Sequence, residues 1–94
     1  MKNDEELFNF AKQLHLSGKI EKSQKLYLKL IEKYKNNDRL FFLLGTSYLQ
    51  LKRNDEAIHF LDIAIKLNSK FADSYNNRGI ALAANKKYSS STRL

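Results

Sequence analysis

Apolar residues along this chain recur at intervals of three and four, the signature of helices with one buried face. The pattern predicts five helices and the start of a sixth. The first runs from about Asp4 to Leu16, with Asn3 as N-cap and Glu6 three residues further on in a capping-box-like arrangement. Gly18 interrupts it. The second runs from about Ile20 to Tyr34 and ends in Lys35-Asn36-Asn37. The third covers Asp38 to about Leu51. The fourth follows Asn54, read as an N-cap with Asp55 and Glu56 in the first turn, and ends near Leu67 before Asn68-Ser69. The fifth spans about Ala72 to Ala84, with Asn85 as a left-handed cap. Lys86-Lys87-Tyr88 then begins like a further helix before the chain turns polar at Ser89-Ser90-Ser91. Connections of a few residues make sequential helices antiparallel neighbours.

A longer period overlies the short one. Phe41-x-x-Leu44-Gly45-x-x-Tyr48 is echoed 34 residues later by Tyr75-x-x-Arg78-Gly79-x-x-Leu82, and anticipated by Leu7-x-x-Phe10-Ala11-x-x-Leu14. A period of this length marks an array of helical hairpins in which each unit buries its face against the next. The expected fold is all-α: one domain, residues 1–94, of stacked antiparallel hairpins. It divides into repeat 1 at 4–37, repeat 2 at 38–71 and a truncated repeat 3 at 72–94.

These residues resemble the tetratricopeptide repeat (TPR) family, whose first helix carries a large residue, then Leu-Gly, then Tyr, and whose second carries small residues about an aromatic. Repeat 2 matches best, with Phe41, Leu44, Gly45 and Tyr48 followed by Ala57, Leu61 and Ala64. Repeat 1 offers Leu7, Phe10, Ala11 and Leu14, then Ser23, Tyr27 and Leu30. The resemblance implies that Ala11, Gly45, Gly79, Ser23 and Ala57 let paired helices approach closely, and that Phe41, Leu44, Tyr48 and Leu61 fill the core. Three departures stand out. The family's terminal proline is replaced by Lys35 and Ser69, Arg78 stands where Leu44 and Phe10 stand in the other units, and the last helix is cut short. The face carrying Ile80, Leu82, Ala83 and Tyr88 is then left without a covering helix. It belongs either to a piece of a longer array or to an end that pairs with another chain, and self-association is expected in both cases.

In this family the first helix of each unit lines a concave surface that holds a partner peptide. Carried over, the groove is lined by Phe8, Asn9 and Lys12 on the first helix. Arg39, Phe42, Leu43, Thr46 and Leu49 follow on the third, and Asp73, Asn76, Asn77 and Ile80 on the fifth. Phe41-Phe42-Leu43-Leu44 is apolar for a full turn and cannot all face one stripe. Either Phe42 opens into the groove or a neighbouring helix or chain covers it. The carboxylate clamp of chaperone-tail receptors is not matched: at its positions stand Phe8, Lys12, Leu43, Asp73 and Asn77, of which Lys12 alone is basic. An asparagine ladder that grips peptide backbone is matched by Asn9 and Asn77 but interrupted by Leu43. The resulting expectation is a protein–protein interaction module that binds a peptide or protein segment in the groove, with no cofactor and no metal. A shorter likeness, Ala11-Lys12-Gln13-Leu14-His15-Leu16-Ser17-Gly18, resembles repeat regions that precede bacterial glycosyltransferase domains. It supplies the alternative of an array attached to a larger enzyme, beside that of a self-assembly element.

Composition narrows the function classes. The net charge of +7 is spread over all three repeats, so it lacks the one-sided clustering of a nucleic-acid reader. Lys22, Lys25, Lys29 and Lys33 do form a helical stripe, flanked by Glu21 and Glu32, and read as a solvated face. Cysteine is absent, which excludes disulfides and thiolate metal sites. Acids near the start exclude a secretory signal in these residues. No run approaches the roughly 18 apolar residues of a membrane span. A cytoplasmic setting is the default expectation. His15 and His59 lack ligand-like partners, Ser89–Ser91 lack a base, and three scattered glycines cannot cradle a phosphate. No catalytic constellation can be assembled, and an enzyme is not expected.

Overall fold

A computed structural model describes the backbone of residues 3–92 and the side chains of residues 3–86. Its described residues form five helices and no strand: α1 (Asp4–Leu16), α2 (Ile20–Lys33), α3 (Asp38–Gln50), α4 (Asn54–Leu67) and α5 (Ala72–Thr92). Each helix packs on the next, and α3 also meets α5. The extents of 53 × 28 × 19 Å are those of a row of hairpins rather than a ball.

The 34-residue period reappears as repeated local chemistry. Asn3 and Asn37 are both N-caps: Asn3 Oδ1 accepts from the Glu6 amide at 2.8 Å, and Asn37 Oδ1 from the Leu40 amide at 3.1 Å. The open end of each hairpin is tied in the same register. In the first, Asp4 Oδ2 accepts from Tyr34 Oη at 2.5 Å and Lys33 Nζ at 2.6 Å. In the second, Asp38 Oδ2 accepts from Asn68 Nδ2 at 3.0 Å. The tight turns repeat too. Gly18 has φ +84°, and Lys52, one period later, has φ +63° although it is not glycine.

The core takes in Phe41, Leu44, Ala57 and Leu61 as expected, together with Leu40 and Ala81, which the repeat pattern did not single out. Ala11, Tyr27, Leu30, Leu40 and Leu44 are buried together, with Phe8, Leu26, Leu43 and Tyr48 packed around them. Ala57, Leu61 and Ala81 form a second cluster flanked by Phe42, Leu49 and Ile58. Gly45 explains why a residue without a side chain belongs there. A Cβ at that position would stand 2.7 Å from Leu61 Cγ and 3.2 Å from the Ala57 carbonyl oxygen. Tyr48 and Phe60 stack with ring centroids 5.4 Å apart, and Phe41 with Phe60 at 6.3 Å, adding aromatic contact to the burial.

Several expectations are corrected. Asn54 is the first residue of α4 and not its cap; Arg53 holds the cap position and pairs instead with Glu56 at 2.7 Å. Asn85 does not end the fifth helix. α5 continues to Thr92, and Asn85 Nδ2 donates to Asp55 Oδ1 at 2.6 Å, a contact that favours the helical course. No separate sixth helix therefore forms through residue 92. Gly79 mediates no close approach among the described residues, none of which lies within 4 Å of where its Cβ would stand. Phe10, Tyr75 and Leu82, all positions of the repeat pattern, are exposed. Arg78 is half-buried and its Nε donates to Asp62 Oδ1 at 2.5 Å, so an ion pair occupies the place of Leu44. The side chains of Tyr88 and Ser89–Ser91 lie outside the described residues.

Candidate partner-binding groove

α1, α3 and α5 form one row and are joined side by side through polar side chains. Between α1 and α3, His15 Nε2 hydrogen-bonds Gln50 Oε1. That oxygen only accepts, so Nε2 carries the ring proton. Nδ1 is then the acceptor for the Tyr27 hydroxyl at 3.1 Å. Burial pushes the Tyr27 phenol up to about 12, so it keeps its proton and remains a donor. Between α3 and α5, Asn77 Nδ2 donates to Thr46 Oγ1 at 3.0 Å, while Thr46 Oγ1 donates to the Phe42 carbonyl at 2.8 Å.

Two cavities open along the α1–α3 junction. The larger, about 380 Å³, is lined by Lys12, His15, Leu16, Tyr27, Leu43, Thr46 and Gln50. This falls within the range of ligand-sized clefts. Its mouth carries Leu16, at 88 % the most exposed large apolar side chain among the described residues. The smaller, about 240 Å³, lies toward the helix starts, between Asp4, Glu5, Phe8, Leu30, Tyr34, Asn37 and Leu40. Lys12 Nζ stands 4.8 Å from the centroid of the Phe8 ring. Lys33 and Tyr34 hold the Asp4 carboxyl below its ordinary value, and Asp4 in turn raises the Lys33 and Tyr34 groups.

The sequence-predicted groove residues are distributed along this row. Phe8, Lys12, Leu43 and Thr46 line the cavities, with Asn9 exposed beside them. Phe42 is half-buried: the Phe71 ring meets it edge-on, with centroids 4.9 Å apart at 80°. The Arg39 guanidinium lies 5.4 Å from the same Phe71 ring. Leu49 packs against the cluster of Ala57, Leu61 and Ala81. Asp73, Asn76 and Ile80 are exposed on α5 and Asn77 is half-buried. His15, Leu16 and Gln50 were not among the sequence-predicted residues. His15 carried a weak signal, as a polar residue one turn beyond Lys12, whereas Gln50 follows only from the α1–α3 packing.

Among the described residues no three His, Cys, Asp or Glu side chains are grouped to hold a metal ion, and no helix is long and apolar enough to cross a membrane. His59 is exposed and meets the Phe60 ring edge-on at 5.0 Å.

Comparison with known proteins agrees with this architecture. Two models of the tetratricopeptide repeat match the chain, one over residues 26–59 and one over residues 43–91, the latter more than half of its length. No curated protein matches it. Small residues at helix crossings, hairpins repeated every 34 residues and these matches lead to one assignment: the chain belongs to the tetratricopeptide repeat family.

Proposed function

We propose that the α1–α3–α5 row holds an extended or helical peptide segment of a partner protein. The observation that carries this reading is the cavity of about 380 Å³ between α1 and α3, which joins apolar walls to polar groups whose geometry is already fixed. Tetratricopeptide repeats generally mediate protein–protein interaction, which gives the class of partner. An apolar side chain of the peptide enters beside Leu16 and Leu43. Lys12, Arg39 and Asn76 contact its backbone or acidic groups, and Asn9 and Asn77 extend the polar line at either end. Phe42 and Leu49 form the floor against which the segment lies. His15, held by Tyr27 and Gln50, needs no reordering on binding, which lowers the entropic cost of the complex. Chemistry is left to the partner, and the chain acts as a scaffold.

A groove this short implies micromolar affinity, about −8 kcal/mol. The test is direct. Peptides selected from a random display library on the immobilised chain are titrated by fluorescence anisotropy against the parent and a Lys12→Glu, Asn76→Ala variant of equal helicity. A loss of tenfold or more supports groove binding; unchanged affinity for every selected peptide overturns it.

A further inference from the structure

The smaller cavity between α1 and α3 has a counterpart one period later, where the chain itself supplies a ring. Phe8 and Asn37 line the open cavity of about 240 Å³. Phe42 and Phe71 stand 34 residues after them. There the Phe71 ring meets Phe42 edge-on at 4.9 Å, and the Arg39 guanidinium stands 5.4 Å from the same ring. The difference has a local cause. Asn37 and Phe71 each precede a helix, α3 and α5 respectively. Asn37 Oδ1 accepts from the Leu40 amide at 3.1 Å, so its short side chain is committed to its own helix. Phe71 has no side-chain acceptor and lays its ring against Phe42, while its carbonyl accepts from the Ser74 amide at 3.2 Å. Leu30 and Leu40 give the open site an apolar floor where Ala64 and Ser74 stand in the filled one. The rim differs in charge, with Glu5 in the place of Arg39. Asp4 is taken up by Lys33 and Tyr34, whereas Glu5 has no ion-pair partner among the described residues.

We propose, resting on the peptide-binding reading above, that this cavity anchors an aromatic side chain of the partner segment, a phenyl ring next to a lysine or arginine. Phe71 is the template. At the second junction the chain brings both the ring and, in Arg39, the cation beside it. At the first it brings neither, and Glu5 stands where that cation would be. A partner completes the arrangement with a ring edge-on to Phe8 over Leu30 and Leu40, and a cation paired with Glu5. A cavity of about 150 Å³ is enough to hold benzene, so one of about 240 Å³ admits a phenyl side chain. Burial of the ring drives its entry, and the edge-on contact orients it. Charge also sets the direction of the segment. Lys12 lies two turns beyond Glu5, roughly 10 Å along α1, and lines the larger cavity. The basic residue therefore faces the Glu5 end, and the segment runs past the ring toward Lys12 with its apolar or acidic side chains.

The probe is the capped dipeptide acetyl-Arg-Phe-amide, titrated to millimolar concentration while the amide shifts of the isotope-labelled chain are followed. Saturating shifts should appear at Phe8, Tyr34 and Leu40, and acetyl-Arg-Ala-amide should bind at least tenfold more weakly. Asn37→Phe installs the ring that Phe71 supplies one period later, and should weaken the dipeptide at least tenfold. Glu5→Arg, at an exposed position, should abolish the preference for acetyl-Arg-Phe-amide over acetyl-Glu-Phe-amide. Phe71→Asn is the reciprocal change and should open a second site, seen as new shifts at Phe42 and Ser74. Equal binding by the parent and a helical Asn37→Phe variant, a charge preference unchanged by Glu5→Arg, or shifts confined to Leu43, Thr46 and Gln50 would each overturn the proposal. Those results leave the larger cavity free to hold a peptide. Library-selected peptides indifferent to Lys12→Glu would instead remove the groove reading and leave the dipeptide result standing.

Discussion

Leu61 lies against the backbone of Gly45, its Cγ 2.7 Å from where a Cβ on that glycine would stand. One repeat later, no described residue lies within 4 Å of where a Cβ on Gly79 would stand. The same residue type at equivalent positions thus serves opposite energetics. At Gly45 the missing side chain sets the distance between α3 and α4. At Gly79 the helix gains nothing within its own hairpin from the glycine and bears its low helix propensity.

Alanine at the two positions should therefore act with opposite sign. Gly45→Ala gains about 1 kcal/mol of helix propensity but forces Leu61 and the Ala57 carbonyl apart, a strain of about 1–3 kcal/mol, and is expected to be destabilising. Gly79→Ala should stabilise by about 1 kcal/mol. Urea unfolding at a protein concentration low enough to keep the chain monomeric measures both. Equal shifts at the two sites would contradict the packing described.

Ser74 occupies the place that Leu40 holds one period earlier. It is fully buried, and among the described residues its hydroxyl has no hydrogen-bond partner. A buried hydroxyl left unpaired is costly. Ser74→Ala is expected to stabilise the chain by about 1 kcal/mol, read as a raised urea midpoint with unchanged slope.

Lys52 adopts φ +63° in the turn before α4, the conformation that Gly18 supplies in the turn before α2. A side chain there costs on the order of 1 kcal/mol. Lys52→Gly should recover about that amount, whereas Gly18→Lys should lose it. Thermal unfolding of the two variants gives the comparison.

Asp4 ties the start of α1 to the end of α2. Its pKa is lowered from 3.8 by hydrogen bonds from Lys33 and Tyr34. A depressed carboxyl stabilises the fold above its ordinary pKa and loses that contribution as pH falls through the folded value. Lys33 and Tyr34 are raised from 10.5 and 10.0, chiefly by their hydrogen bonds to Asp4, so their contribution is present below those values and lost as pH rises through the folded ones. The stability difference between the parent and Asp4→Ala should be flat near neutrality, and should shrink in acid below 3.8 and in alkali above 10.0. Denaturation across that pH range measures it.

Much of this fold was legible in the spacing of residues. Phe41, Leu44, Leu61, Ala57 and Ala64 fall where a hairpin repeat must bury them, and the start of every helix lies within a residue of its expected position. Helix ends were harder. Nothing local separates Asn85 from a terminating asparagine; its bond to Asp55, 30 residues earlier, exists only once α4 and α5 are packed. Lys52 hid a left-handed turn because only its distance from Gly18, not its residue type, signals one. The lining of the α1–α3 cavity was legible in part. Lys12, Leu43 and Thr46 follow from repeat register, but the His15–Gln50 link joins residues 35 apart, one more than the period, and no helical spacing reveals it. Phe71, which covers part of Phe42, lies in a turn that the repeat pattern leaves unspecified.

The most direct test of the account is an amide chemical-shift map of the isotope-labelled chain titrated with a library-selected peptide. The largest shifts should fall on α1 and α3 around Lys12, His15, Leu43 and Thr46, continue onto α5 near Asn76 and Asn77, and spare the outer lysines of α2. Shifts concentrated on Lys22, Lys25 and Lys29 with the groove unmoved would contradict it.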